Sequence, residues 1–209
     1  MNRPQANKDQ DAARHPDAMM AFAGIQPGNK VVEFWPGGGY VTRLLSKIVG
    51  PMGKVYAINA PTFPDRLKDQ VKTVTDNPAY ANVVVLTQPF AEIKIPEPVD
   101  VVWTSENYHD FQNAGPFKTD TAAMDKAVFA ALKPGGLYIL TDYTAVAGSG
   151  TRDTQTLHRI DPEVIKREVT AAGFVLEAES NALANPNDKR TERSHQGDNQ
   201  VMFKFRKPR

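Results

Sequence analysis

The stretch Thr104-Ser105-Glu106-Asn107-Tyr108-His109-Asp110-Phe111 sets hydroxyls, an acid, an amide, a phenol, an imidazole and a second acid side by side. An unperturbed histidine titrates near 6.5, so His109 is able to take a proton from a hydroxyl at neutral pH. Tyr108 is its candidate partner, Asp110 a candidate orienting acid and Asn107 a substrate contact. The plainer reading has Tyr108 and His109 capping the core and bonding to a loop. A second group, Thr151-Arg152-Asp153-Thr154 and Leu157-His158-Arg159-Ile160-Asp161, adds another imidazole and two guanidinium groups. His158 is a candidate for acid–base work. Arg159 suits a carboxylate or phenolate, and Arg152 a bidentate clamp on the same substrate. The alternative is that Asp161 starts a helix and Arg159 pairs with it. Asp142-Tyr143 would add a polar wall, with Tyr143 against substrate. His109, Asp110, His158 and Asp161 are all metal-capable, but their spacing matches no compact ligand motif, so no metal is expected.

Upstream, Val31-Val32-Glu33-Phe34 is an apolar run carrying an acid, and Trp35-Pro36-Gly37-Gly38-Gly39 follows it. Glycines in such a turn let the backbone approach a ligand, and the helix that follows offers free N–H groups at its start. A tryptophan stands where such turns usually carry a glycine. Phe34, Trp35, Tyr40, Trp103 and Tyr108 read mainly as core and edge packing; Trp35, Tyr40 and Tyr108 also suit an aromatic pocket, with Tyr40 against substrate.

Positioning these groups requires strands that end at a common edge. Asp17–Ala23 reads as a short helix closed by Gly24, and Pro27-Gly28 launches a strand over Lys30–Phe34. An amphipathic helix follows over Tyr40–Val49, then a second strand over Lys54–Asn59 after Pro51-Met52-Gly53. Leu67–Thr75 reads as helix. Val83–Leu86 and Asp100–Thr104 are apolar runs typical of strands covered on both faces. Asp120–Leu132 reads as a helix stopped by Lys133-Pro134-Gly135-Gly136, before a fifth strand over Leu137–Asp142. Pro162–Ala172 is a helix with Asp161 as N-cap and Gly173 at its exit. Two closing strands lie near Phe174–Ser180 and Gln200–Arg206. Ala145–Gln155 is expected to be a mobile loop at the sheet edge, and Asn185–Asn199 a surface loop.

The alternation predicts an α/β fold: a Rossmann-like, seven-stranded, mostly parallel sheet with helices on both faces and an antiparallel last strand. One domain is expected over residues 1–209, with a helical N-terminal extension (1–29) and a core (30–209). Twenty-five basic and twenty-four acidic side chains leave a net charge of +1. That excludes a broad electrostatic footprint for nucleic acid or an anionic membrane and favours a small-molecule substrate. The absence of cysteine removes disulfides, thiolate metal sites and a thiol nucleophile together. No apolar stretch approaches the roughly 20 residues of a bilayer span. The polar start has no signal-peptide core, so the expected location is the cytoplasm, or the periplasm if a leader has been removed.

Together the glycine turn, the five β/α steps, Lys-Pro-Gly-Gly and the closing hairpin resemble class I S-adenosylmethionine-dependent methyltransferases, from about Val31 to Phe205. More narrowly, Trp35–Gly39, Asn107–Asp110 and Leu157–Asp161 resemble a bacterial group described only as predicted methyltransferases. The resemblance implies S-adenosylmethionine as cofactor, held by Glu33, Trp35, Gly37, Gly39, Asn59 and Gln88. Three of these depart from the wider pattern. Trp35 replaces the first glycine, Asn59 stands where an acid grips the ribose, and Thr87-Gln88-Pro89-Phe90 stands where an Asp meets the adenine. An amide gives hydrogen bonds of about 0.5–1.5 kcal/mol where a carboxylate gives about 1.5–3, a difference worth roughly tenfold in affinity. The absence of Asn-Pro-Pro-Tyr after strand four argues against nucleic-acid bases and glutamine amides as acceptors. The implied activity is methyl transfer to a small molecule, with aromatic and phenolic acceptors as candidates. The departures keep two alternatives open: a donor-independent lyase or isomerase using His/Tyr acid–base chemistry, and a noncatalytic small-molecule binding protein.

Overall fold

A computed structural model describes residues 3–209. Three short helices lead the chain: α1 (Gln5–Lys8), α2 (Asp11–Arg14) and α3 (Pro16–Ala23). Strands and helices then alternate: β1 (Lys30–Phe34), α4 (Tyr40–Val49), β2 (Lys54–Asn59), α5 (Asp65–Lys68), α6 (Lys72–Thr75) and β3 (Val83–Thr87). After them come β4 (Val99–Ser105), α7 (Tyr108–Phe111), α8 (Thr121–Ala131) and β5 (Leu132–Tyr143). The chain closes with α9 (Thr154–Leu157), α10 (Pro162–Ala171), β6 (Val175–Ser180) and β7 (Gln200–Arg206).

The sheet runs β3-β2-β1-β4-β5-β7-β6. The first five strands pair in parallel, and β7 is antiparallel to both of its neighbours. Side chains alternate across each strand, so the sheet splits its apolar residues between two layers. Val32, Phe34, Tyr56, Ile58, Val102 and Leu140 pack with Met124 and Val128 of α8 and Val164, Ile165 and Val169 of α10. Val31, Val55, Ala57, Val101, Trp103 and Ile139 pack on the other face with Met19 and Ala23 of α3 and Leu44 and Leu45 of α4. Strand order reverses between β1 and β4, which puts the ligand crevice of an open α/β sheet at their carboxyl ends.

Three local expectations change. Leu67–Thr75 is not one helix: a 3-10 turn over Asp69–Val71 separates α5 from α6, in a segment whose β-branched Val71, Thr73, Val74 and Thr75 weaken an α-helix. β3 is covered only in part on its two faces. It is an edge strand with half-buried Val84, Val85 and Leu86, its apolar run packing on the sheet faces while one edge stays unpaired. Finally, Lys133-Pro134-Gly135-Gly136 lies within β5, because Leu132 already pairs with Val99 and a register shift absorbs the turn. Gly136 accommodates it: a Cβ there would lie 2.9 Å from the Lys133 carbonyl.

Candidate functional site

A cleft of about 240 Å³ opens at the carboxyl ends of β1 and β4. Its floor is Glu33 through Gly38, and its far wall is Ser105, Glu106 and Asn107. Asn107 ties the two strand exits together, its Nδ2 donating to the Phe34 carbonyl at 3.2 Å. Gly39 begins α4 with φ +77°, and a Cβ there would collide with Val74, so both dihedral and space demand glycine. Arg43 fastens the turn from below, donating through Nη1 to the carbonyls of Gly38 (2.6 Å) and Gly39 (3.0 Å).

The roof comes from the N-terminal helices. Asn7, Gln10, Arg14 and Tyr40 line the cleft. Arg14 Nη2 lies 3.1 Å from Glu106 Oε1, and its guanidinium stacks 4.4 Å above the Tyr40 ring. The Tyr40 hydroxyl donates to Asp11 at 2.7 Å. Burial, followed by that hydrogen bond, pushes the Tyr40 phenol up to about 12. Glu106 holds a left-handed backbone, φ +58°, while its N–H donates to the Thr141 carbonyl at 2.8 Å. Such conformations in non-glycine residues persist where surrounding contacts enforce them, often at functional sites. Burial raises the Glu106 carboxyl, with Arg14 opposing. Asn7, Gln10 and Arg14 did not stand out in the sequence, and Glu106 stood there as the acid of its cluster with no role of its own; the strained exit of β4 and the fold-back of the polar N-terminal arm become visible only in three dimensions.

Glu33 is buried, and its Oε2 has no hydrogen-bond partner. Burial pushes its carboxyl up to about 7, against Thr42 and the positive charge of Arg14. Asn59, at the end of the neighbouring strand, is likewise buried with an unpartnered Oδ1. Its Nδ2 is engaged by the Lys68 carbonyl at 3.4 Å. Trp35 holds a left-handed backbone, φ +49°. Its indole stacks 4.7 Å from the ring of Phe117 and lies 4.6 Å from that of Phe63, so the ring serves both as cleft wall and as packing. Gln88 is turned to its own loop, accepting from Lys94 N–H at 2.7 Å and donating back to the Lys94 carbonyl at 3.1 Å.

Just beyond Asn107, α7 carries the second polar group. His109 Nδ1 is 2.6 Å from Asp142 Oδ1, and the His109 backbone N–H donates to Asp142 Oδ2 at 2.8 Å. Asp142, not the adjacent Asp110, therefore orients the ring, and its carboxylate fixes the proton on Nδ1. Thr141 pairs with Ser105 in the sheet register, so the strand exits themselves bring Asp142 beside α7. Burial alone would lower the His109 pKa, but Asp142, then Asp110 and Glu106, raise it above the ordinary histidine value. The other ring nitrogen, Nε2, meets His158 Nδ1 at 3.3 Å and Asp110 Oδ2 at 3.5 Å. Burial raises the Asp110 carboxyl, with both histidines opposing. Burial lowers His158, with Asp110 opposing and His109 and Arg193 adding to it.

Several expected site residues lie elsewhere. Tyr108 is fully buried, its hydroxyl bonded to Asp125 and Glu168 at 2.8 Å each. Its ring packs in the core with Phe111, Met124 and Val128, outside the cleft lining. Arg152 lies at the surface on its neighbour Asp153 and clamps nothing in the cleft. Arg159 is buried and spent: its guanidinium holds Asp188 and Asp198 and donates to the carbonyls of Thr144 and Glu192. It thereby pins the loop before β7, and it pairs with these acids rather than with Asp161. Asp161 caps α10 through Glu163 N–H and binds Gly148 N–H at 2.7 Å, away from the histidines. Tyr143 is buried near Glu106 and Arg14, and burial raises its phenol, but it is not part of the cleft lining.

No family model matches the chain. A protein-L-isoaspartate O-methyltransferase of Ignicoccus hospitalis is 35% identical over 69 residues, 32% of this chain and 31% of that protein. The match thus spans about a third of the curated relative's length. Among solved structures, an S-adenosylmethionine-dependent methyltransferase from Aquifex aeolicus superposes with a TM-score of 0.68 at 17% identity, over 99% of this chain and 100% of that one. The cyclase SpnF superposes at 0.69 and 14% identity, over 95% of this chain and 82% of that one. The chain has the class I S-adenosylmethionine-dependent methyltransferase fold, as its strand order shows.

Proposed function

We propose that this chain binds S-adenosylmethionine across the ends of β1 and β2 and directs its methyl group to a small acceptor at the His109 edge. The observation that carries this reading is the pair of buried, unpartnered acceptors, Glu33 Oε2 and Asn59 Oδ1, at the ends of adjacent strands. Buried polar atoms left without partners cost about 1–3 kcal/mol each, and a ligand bearing an ammonium and sugar hydroxyls supplies the missing donors. Gly37 offers no side chain to block a close approach, and a Cβ there would come no nearer than 3.8 Å to Gln70.

Bound S-adenosylmethionine supplies an activated methyl on sulfur, whose transfer depends chiefly on positioning. Glu33 and Asn59 hold polar groups of the ligand, and Asn107 fixes the distance between the β1 and β4 exits. Trp35 gives an apolar wall that favours a flat, aromatic or phenolic acceptor. Asp142 holds the proton of His109 on Nδ1, which leaves Nε2, facing His158 Nδ1 at 3.3 Å, as the nitrogen that accepts a proton. The N-terminal arm, through Arg14 and Gln10, excludes water.

A second reading, donor-independent acid–base chemistry, is favoured by one observation: the Asp142–His109–His158 chain is complete without any contribution from the β1 turn. Calorimetric titration of ligand-free protein with S-adenosylmethionine and S-adenosylhomocysteine separates the two. Micromolar binding supports methyl transfer and directs a search for acceptors; no binding at millimolar ligand sinks it and leaves the histidine chemistry to be tested alone.

A further inference from the structure

We infer that His109, Asp110 and His158 form a three-ligand site for a zinc-type divalent cation. The inference goes beyond the methyl-transfer reading and does not rest on it.

One donor atom from each of the three residues lies within 4.8 Å of the other two, with the two Asp110 oxygens facing one imidazole each. His109 Nε2 and His158 Nδ1 are 3.3 Å apart, His158 Nδ1 and Asp110 Oδ1 3.4 Å, and His109 Nε2 and Asp110 Oδ2 3.5 Å. A tetrahedral ion with ligands at about 2.0–2.1 Å sets them about 3.3–3.4 Å apart. The 3.3 Å pair of imidazole nitrogens fits that spacing, and two imidazoles with one carboxylate are a zinc-type donor set. Among the described residues these three also stand out as a metal-capable set.

A second, independent feature is the support behind His109. Metal-bound histidines commonly donate their other ring N–H to a carboxylate, which fixes tautomer and direction. Asp142 does this here at 2.6 Å, and is itself held by the backbone N–H groups of His109 and Tyr143, at 2.8 Å each. Asp110 is steadied in turn by Asn113 Nδ2 at 3.1 Å. A dication with the Asp110 and Asp142 carboxylates sums to no net charge, which suits a buried cluster. The two histidines lie 49 residues apart, and α7 and the left-handed turn at His158, φ +52°, bring them together. Under this assignment His109 Nε2 would be a ligand and not the base, and the ion would lower the pKa of a water or acceptor hydroxyl bound to it.

The test is zinc binding by chelator-treated full-length protein, followed by calorimetry, with cobalt(II) absorption reporting coordination number. The expected result is one zinc per chain and an intense tetrahedral cobalt spectrum. His158→Ala, on a half-exposed side chain, should weaken binding at least about 100-fold, and Asp142→Asn about 10–100-fold. Circular dichroism confirms that each variant is folded. No saturable binding to folded wild-type protein, or equal affinity in wild type and His158→Ala, overturns the site. Neither readout involves S-adenosylmethionine, so failure here is distinct from failure of the methyl-transfer reading.

Discussion

The Asp142 carboxylate grips His109 at both ends, its Oδ1 2.6 Å from the ring Nδ1 and its Oδ2 2.8 Å from the backbone N–H. One acid thus fixes both where α7 begins and which ring nitrogen carries the proton. The neutral imidazole is expected as the Nδ1–H tautomer, readable from nitrogen chemical shifts in metal-free protein at alkaline pH. Asp142→Asn should lose that tautomer preference and about 1.5–3 kcal/mol of stability, the worth of hydrogen bonds to a charged group. A wild-type ring protonated on Nε2 would refute the assignment.

Glu33 provides a pH signature. Its carboxyl stands at about 7 in the folded chain against 4.5 for the free side chain, chiefly through burial. Between these values the folded state holds a proton that the unfolded state has lost, so the contribution to stability is complete below about 4.5 and disappears as pH rises through about 7. The shift corresponds to about 3 kcal/mol. Urea unfolding at several pH values should show Glu33→Gln removing most of that slope. A cationic ligand needs the ionised carboxyl, so S-adenosylmethionine affinity should rise through the same window in the wild type and stay flat in the variant.

How much of this was readable in advance depends on whether the cause was local. β1 and β2 have the limits their apolar runs and flanking Pro-Gly turns imply, Lys30–Phe34 and Lys54–Asn59. β3 looks equally buried in sequence, but its place at the sheet edge is a property of topology. His109 and His158 were legible as chemistry from residue type alone. Their convergence was not, and neither was the roof from Arg14, because each depends on where distant segments return. Arg159 shows the same limit: its partners Asp188 and Asp198 lie 29 and 39 residues downstream, while the acid two residues away proved irrelevant to it.

Arg159→Met should therefore behave as a stability mutant. It leaves Asp188 and Asp198 facing a buried apolar chain, and breaking such a pair costs about 3–5 kcal/mol. Hydrogen exchange should rise first in residues 185–199, with ligand affinity falling only as the protein unfolds. A selective loss of substrate affinity in a fully stable variant would restore Arg159 as a substrate clamp.

Arg14 joins the arm to the strained exit of β4 through Glu106 and to α4 through Tyr40. Arg14→Ala removes both contacts and leaves a largely buried carboxylate short of its cation. Amide exchange over residues 5–15 should accelerate about tenfold or more, equivalent to about 1.4 kcal/mol of local opening, with little change in the sheet. Unchanged exchange would mean that the ion pair of Arg3 with Asp11 and the Tyr40 hydrogen bond hold the arm unaided.

Trp35 sets two effects against each other. Its left-handed backbone, φ +49°, costs a non-glycine residue about 1–3 kcal/mol, which Trp35→Gly would relieve. The same change removes the indole from Phe63 and Phe117, where losses for large aromatic side chains run to about 3–5 kcal/mol when fully buried and less at this half-buried position. The net expectation is a modest loss, about 1–2 kcal/mol, visible as a lower urea midpoint. Ligand binding should move the other way: opening the wall beside Glu33 and restoring the glycine should tighten S-adenosylmethionine binding several-fold by calorimetry. Weaker binding in a folded variant would instead make the indole part of the ligand's own contact surface, with its packing against Phe63 and Phe117 serving to hold that surface in place.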